Sequence, residues 1–266
     1  MYPFVYHRAE SLADAAGKLA EADDGVLLAG GMTLLPTLKQ RLARPSHVID
    51  LGGLSSLGEI VAGDKRISLG AMVTHRAIEH HSGLAAKLPA LPELAAVLGD
   101  RAVRARGTIG GSLANADPAA DYPAAILALD SCVVTQKRQI DGTAFFRDLF
   151  ETALEPDEII TRIDCAIPQA AAYEKFRHPL SRYAMVGVFV ARYPDRVRVG
   201  ITGAAAFAFR WHAAEEALHE TFHEDALSEL KIDSSDFLSD LHGPADYRGH
   251  LVGVMTRRAV ARARHR

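Results

Sequence analysis

The chain has 266 residues, 48 % hydrophobic and 24 % charged, with a formal net charge of -3. That balance is ordinary for a globular domain and points away from a nucleic-acid partner. No segment approaches the run of about 18 apolar residues that spans a bilayer, and MYPFVYHRAESL lacks the charged and apolar regions of a secretory signal, so a cytoplasmic protein of one to three domains is expected.

Cys132 and Cys165 are the only thiols and form no C-x-x-C pair. They exclude a disulfide framework, and they are too few for an ordinary iron–sulfur cluster, which takes about four. Any cluster must sit on another chain.

Leu12, Ala15, Ala16 and Leu19 recur at helical spacing, predicting an amphipathic helix over residues 10–22. Residues 26–29 read as a short strand running into Gly30-Gly31, with Thr33 as N-cap of a helix over LLPTLKQRLARP. Pro36 falls in its first turn, where the missing N–H is not needed. Residues 47–51 form the next strand, completing a βαβ unit with a right-handed crossover. Residues 60–62 and 67–71 flank Gly63-Asp64-Lys65 as a hairpin. Thr74 caps a helix to about His81, and 88–99 is a further helix.

The stretch 104–130, RARGTIGGSLANADPAADYPAAILALD, gathers Gly107, Gly110 and Gly111 with Thr108, Ser112, Asn115, Asp117 and Asp121 ahead of an apolar helix at 124–129. Glycine allows close backbone approach to a ligand, and successive amides in such turns bind anions. A tight turn between strands accounts for the glycine pair equally well. Asp117 before Pro118 looks like an N-cap and N1 pair; Asp121 either caps the apolar helix or does acid–base work. Strands follow at 132–135 and 159–167, with a short apolar segment at 145–150 between them. Beyond 171 the segments AYEKFRH, YAMVGVFVARY and VRVGITGAAAF predict three longer strands, followed by helices, as a separate α+β module. The last helix, from about 245, carries Leu251, Val254, Met255 and Ala259 on one face. Its arginines at 257, 258, 262, 264 and 266 are read as a solvated face suited to the negative end of the dipole.

Two glycine loops about 80 residues apart suit a ligand with linked phosphates, such as a dinucleotide. The G-x-G-x-x-G fingerprint and the G-K-[ST] of a P-loop are both absent, and no G-x-S-x-G elbow supplies a nucleophile. One competing motif is HETFH at 219–223, which matches H-E-x-x-H within a segment expected to be helical. On one helix face it would bind zinc, but no third ligand is evident.

The residues quoted so far resemble one family. AGGMT at 29–33 with Leu34, Leu35 and Lys39, then TIGGSLANADPAAD at 108–121, look like the two flavin loops of the FAD-binding medium subunit of molybdenum hydroxylases, the group that includes carbon monoxide and xanthine dehydrogenases. LGAMVT at 69–74, LEPDEII at 154–160, YEKFR at 173–177 and YRGHL near the C-terminus extend the likeness over nearly the whole chain.

The resemblance implies an α+β protein: two subdomains (1–55 and 56–168) that clasp FAD in a vanillyl-alcohol-oxidase type of fold, then a C-terminal α+β domain (169–266) with a three-stranded antiparallel sheet. Ala29, Gly30, Gly31, Met32, Thr33 and Leu34, with Thr108, Ile109, Gly110, Gly111 and Ser112, would hold the pyrophosphate side. Asn115 and Asp121 would bond nearer the ribityl chain or flavin, Ile160 would pack on the cofactor, and Lys175 and Tyr183 would approach the isoalloxazine. The implied role is electron relay, with no catalytic side chain and no metal on this chain. A large subunit would carry the molybdenum cofactor and a small one the [2Fe-2S] clusters. A stand-alone FAD reductase and a degenerate flavin-fold assembly module are the alternatives. One departure stands out: the family's R-N-x-G-T-I-G-G has Ala105 in place of its asparagine.

Overall fold

A computed structural model describes residues 1–266. The chain opens with β1 (Val5–Arg8), α1 (Leu12–Glu21), β2 (Gly25–Leu28), α2 (Leu34–Lys39) and β3 (His47–Asp50). These strands form a parallel sheet in the order β1-β3-β2. The first strand escapes sequence reading because Val5, Tyr6 and Arg8 are exposed and only His7 is partly covered, so no alternation marks it. Ser11 caps α1 through the N–H of Asp14, and Ala15 and Leu19 face Ile49 and Leu51 in a small core.

Next come β4 (Ile60–Ala62), β5 (Arg66–Gly70), α3 (His75–His80), α4 (Ser82–Lys87), α5 (Ala90–Ala96), α6 (Arg101–Arg106), α7 (Ile109–Asn115), α8 (Tyr122–Ala128), β6 (Cys132–Thr135), β7 (Gln139–Asp141), β8 (Phe146–Asp148), β9 (Glu151–Thr152) and β10 (Ile160–Ala166). An antiparallel sheet in the order β4-β5-β10-β6-β7 collects five of these strands. Every residue of α8 is buried, which explains its apolar sequence: it lies between this part of the chain and the C-terminal sheet. Gly200 is the contact point, where a Cβ would overlap the carbonyl oxygen of Ala124.

The remainder is β11 (Ala170–Arg177), β12 (Ala184–Arg192), β13 (Val197–Thr202), β14 (Phe209–Arg210), α9 (His212–Glu220) and α10 (Ala245–Arg264). The antiparallel sheet β11-β12-β13-β14 has a fourth strand beyond the three expected. It is only two residues long, paired through Gly200↔Arg210 and Ile201↔Phe209, too short to leave a period. Its other face packs on α9 and α10 through Val188, Val190, Leu218, Leu251 and Met255.

Two other expectations change here. Three of the C-terminal arginines are not simply solvated: Arg262 bonds Glu93 of α5 and Glu174 of β11, Arg264 bonds Glu224, and Arg266, just past α10, bonds Glu93. Helix α9 ends at Glu220, and His223 lies beyond it, where its Nδ1 accepts from the N–H of Asp225. The two histidines of H-E-x-x-H therefore do not share a helix, and no group of three or more His, Cys, Asp and Glu side chains in the fold is placed to hold a metal ion. No helix is long and apolar enough to cross a membrane.

Candidate cofactor cleft

A cavity of about 870 Å³ opens where the first sheet, the second sheet and the tip of the C-terminal sheet meet. Its floor is made by the two glycine loops in direct contact. Gly30 lies so close to the 106–107 peptide that a Cβ would overlap Arg106 O and stand 2.8 Å from Gly107 Cα. A Cβ on Gly111 would lie 3.5 Å from the Ala29 methyl. Residues 80 apart in sequence thus form one surface, and glycine is required for the approach.

The two loops differ in what they offer. Gly31 has φ +73°, the left-handed region that glycine enters freely. The N–H groups of Gly30, Gly31, Met32 and Thr33 donate to no protein acceptor. Thr33 stands at the start of α2 but its hydroxyl caps nothing, contrary to expectation, so those orphan donors stay available.

The second loop is not a loop for most of its length: residues 109–115 are α7, capped by Thr108 Oγ1, which accepts from Gly111 N at 3.1 Å. Ile109 N donates to Val73 O, Gly110 N to Ala71 O and Ser112 N to Thr108 O. Its backbone donors are therefore consumed in fastening α7 to the strand end at 71–73. What α7 offers is a wall without side chains at Gly110 and Gly111, with the polar side chains of Ser112 and Asn115 alongside.

Asp117 and Asp121 take other roles than helix capping. Asp117 Oδ1 accepts from Ala119 N at 2.8 Å, an Asx turn, and burial raises its pKa against the pull of that bond. Asp121 precedes α8 but bonds none of its amides. Its carboxylate turns to the C-terminal sheet, where Lys175 Nζ meets its two oxygens at 2.8 and 3.1 Å and the Tyr173 hydroxyl donates to Oδ1. The side chains of Asp121 and Lys175 are both almost wholly buried. Burial pushes the carboxyl pKa up; Lys175 and Tyr173 pull it back part of the way. Thr202 Oγ1, 2.7 Å from Ala120 O, and Gly203 N, donating to Pro118 O at 2.8 Å, fix the same turn to β13.

All the residues expected at the site line this cavity except Ile109, which is turned into the core at 1 % exposure. Ala105 is an exposed residue of α6 outside the lining. Sequence reasoning missed His75, which follows the Thr74 cap and lies under Gly107. A Cβ on that glycine would come within 2.6 Å of the imidazole Nε2. His75 Nδ1 has no partner, and burial, aided by Arg104, lowers its pKa to about 4. The pattern held one usable signal: a histidine at the first position of a capped helix, where positive charge is unfavourable.

A buried neutral histidine has a stability signature. The unfolded ring binds a proton below about 6.5, which the folded one refuses until about 4. The protein is therefore expected to hold its stability above pH 6.5 and to lose about 3 kcal/mol as pH falls to about 4. His75→Asn should remove that slope; urea midpoints across this range measure it.

Comparison with known proteins gives a consistent answer. Residues 2–170 match the family model described as FAD binding domain in molybdopterin dehydrogenase. The carbon monoxide dehydrogenase medium chain of Afipia carboxidovorans is 34% identical over 99% of this chain and 97% of its own length. The nicotine 6-hydroxylase medium subunit of Paenarthrobacter nicotinovorans is 33% identical over 97% of this chain and 96% of its own. Among solved structures, reconstituted CO dehydrogenase from Oligotropha carboxidovorans superposes with a TM-score of 0.90 at 33% identity, covering 99% of this chain and 98% of the other. Quinoline 2-oxidoreductase from Pseudomonas putida 86 gives 0.88 at 29% identity, covering 100% of this chain and 98% of that one. This chain belongs to the family of FAD-binding medium subunits of the molybdenum hydroxylases.

Proposed function

We propose that the chain holds FAD in the cavity described above and passes electrons from iron–sulfur clusters on a partner to an external acceptor. The observation that carries this is the union of the two glycine loops: unpaired amides of residues 30–33 share one wall with the bare backbone of Gly110 and Gly111. The cavity volume falls in the range of cofactor sites, and its polar lining includes these loops, Asp121 and Lys175. The donor set suits a pyrophosphate at one end and an aromatic ring system at the other. In this reading residues 29–34 bind the phosphates, assisted by Ser112. Asn115 reaches the ribityl region, Ile160 packs on the ring, and Lys175 and Tyr183 border its far side. FAD, when bound, supplies the redox chemistry; the chain binds it, orients it and sets its electrostatic surroundings.

The subunits expected beside it are a large one with the molybdenum cofactor and a small one with the [2Fe-2S] clusters. The two thiols here, Cys132 half-buried and Cys165 buried against Ser131, cannot ligate a cluster. Co-expression with the products of neighbouring reading frames tests the proposal. A complex of three subunits with FAD equimolar to this chain is the expected result. A stable complex without flavin would favour the assembly-module alternative, and a flavin-loaded chain that reduces acceptors alone would favour the stand-alone reductase.

A further inference from the structure

Tyr173 reaches the Asp121–Lys175 pair from behind, without lining the cavity. It stands two residues before Lys175 on β11, is 4% exposed, and donates its hydroxyl proton to Asp121 Oδ1. Lys175 carries three N–H donors. Asp121 accepts from it at both oxygens, and with its side chain 2 % exposed the ammonium acts on the cavity it borders through its charge. The carboxylate is shared between an ammonium and a phenol away from water, where charge-assisted hydrogen bonds are strong.

The sheet reserves space for that phenol. Gly187 of β12 pairs with Lys175 in the register, and a Cβ there would overlap Tyr173 Oη and come within 2.9 Å of Thr202 Cγ2. The ring itself packs on Phe189, with centroids 6.2 Å apart. A tyrosine needed only to fill space would not require a side-chain-free neighbour at its hydroxyl.

We propose that Tyr173 is a positioning residue for the flavin redox step. By donating to Asp121 it holds the carboxylate against Lys175 and draws part of its negative charge away from the cavity. The inference rests on the reading that the redox-active ring of FAD lies beside Lys175. Uptake of two electrons and one proton adds one negative charge to that ring, so a less shielded Asp121 disfavours reduction.

The test is a spectroscopic redox titration of the bound flavin in the purified three-subunit complex. Tyr173→Phe keeps the ring and removes the hydroxyl. At a fixed potential its ratio of reduced to oxidised FAD should fall about tenfold, equivalent to a midpoint about 30 mV lower for a two-electron couple. Lys175→Met, measured in parallel, should lower the midpoint further. If Lys175→Met shifts the midpoint and Tyr173→Phe does not, the role assigned to Tyr173 is wrong and the placement of FAD stands. If neither shifts it while both complexes keep their flavin, the placement of FAD is wrong. A purely packing role for Tyr173 would lower stability and leave the midpoint where it was. Should Tyr173→Phe not assemble, Gly187→Ala, which drives the phenol from Asp121, reads the same quantity.

Discussion

Gly30→Ala is expected to abolish FAD retention. The added methyl meets not a movable side chain but the 106–107 peptide, overlapping Arg106 O and lying 2.8 Å from Gly107 Cα. Neither backbone can yield without parting the loops, because His75 N is bonded to Gly107 O and Gly107 N to Val103 O. Overpacking of this kind costs about 1–3 kcal/mol in stability. The loss in affinity is larger in consequence, since the unpaired amides of residues 30–33 swing away from the wall formed by α7. A displacement costing about 3 kcal/mol of binding corresponds to roughly a 100-fold weaker complex. Fluorimetric titration with FAD and the flavin content after gel filtration both read it. Gly17→Ala is the control: it adds a methyl in α1 with nothing within 4 Å and should raise stability by about 0.5–1 kcal/mol with FAD content unchanged. Equimolar FAD on Gly30→Ala would show that the contact between the loops is not part of the binding site.

How much of this was legible follows from where each signal is stored. The βαβ start, the 60–71 hairpin and the long strands near the C-terminus were readable because period and turn residues agreed over several positions. β1 was not, since its side chains are mostly exposed, and β14 was too short to have a period. The glycine loops announced a ligand, but not that one supplies free amides and the other a bare helical wall. That division depends on Thr108 turning its hydroxyl to Gly111 N and on Val73 and Ala71 accepting from Ile109 and Gly110, partners more than 30 residues away in sequence. The helix expected to carry H-E-x-x-H illustrates the opposite failure: the spacing was right, yet the helix stops at Glu220. Asp121 was identified as a site residue while its partners stayed hidden, because alternation places Tyr173 and Lys175 on one face of β11 without saying what that face meets.

That hidden partnership sets the second large effect. Asp121→Ala leaves the Lys175 ammonium, 2 % exposed, with no counter-charge, and leaves the Tyr173 hydroxyl without its acceptor. Removing one member of a buried ion pair typically costs about 3–5 kcal/mol, most of it the penalty for the charge left behind. The pair also joins the turn before α8 to β11, so the damage should extend to the seating of the C-terminal sheet, and FAD should be lost with it. The double variant Asp121→Ala/Lys175→Met separates these effects. With both charges gone no ion is stranded, and replacement of a buried pair by apolar groups is often close to neutral, so about half or more of the lost stability should return. FAD should not return, because Asp121, which itself lines the cavity, is still missing. Urea unfolding and flavin content on the wild type, both single variants and the double variant complete the cycle. A double variant no more stable than Asp121→Ala would mean that the carboxylate acts through Tyr173 and the turn alone. Recovery of stability together with FAD would mean that the pair holds the sheet in place and does not touch the cofactor.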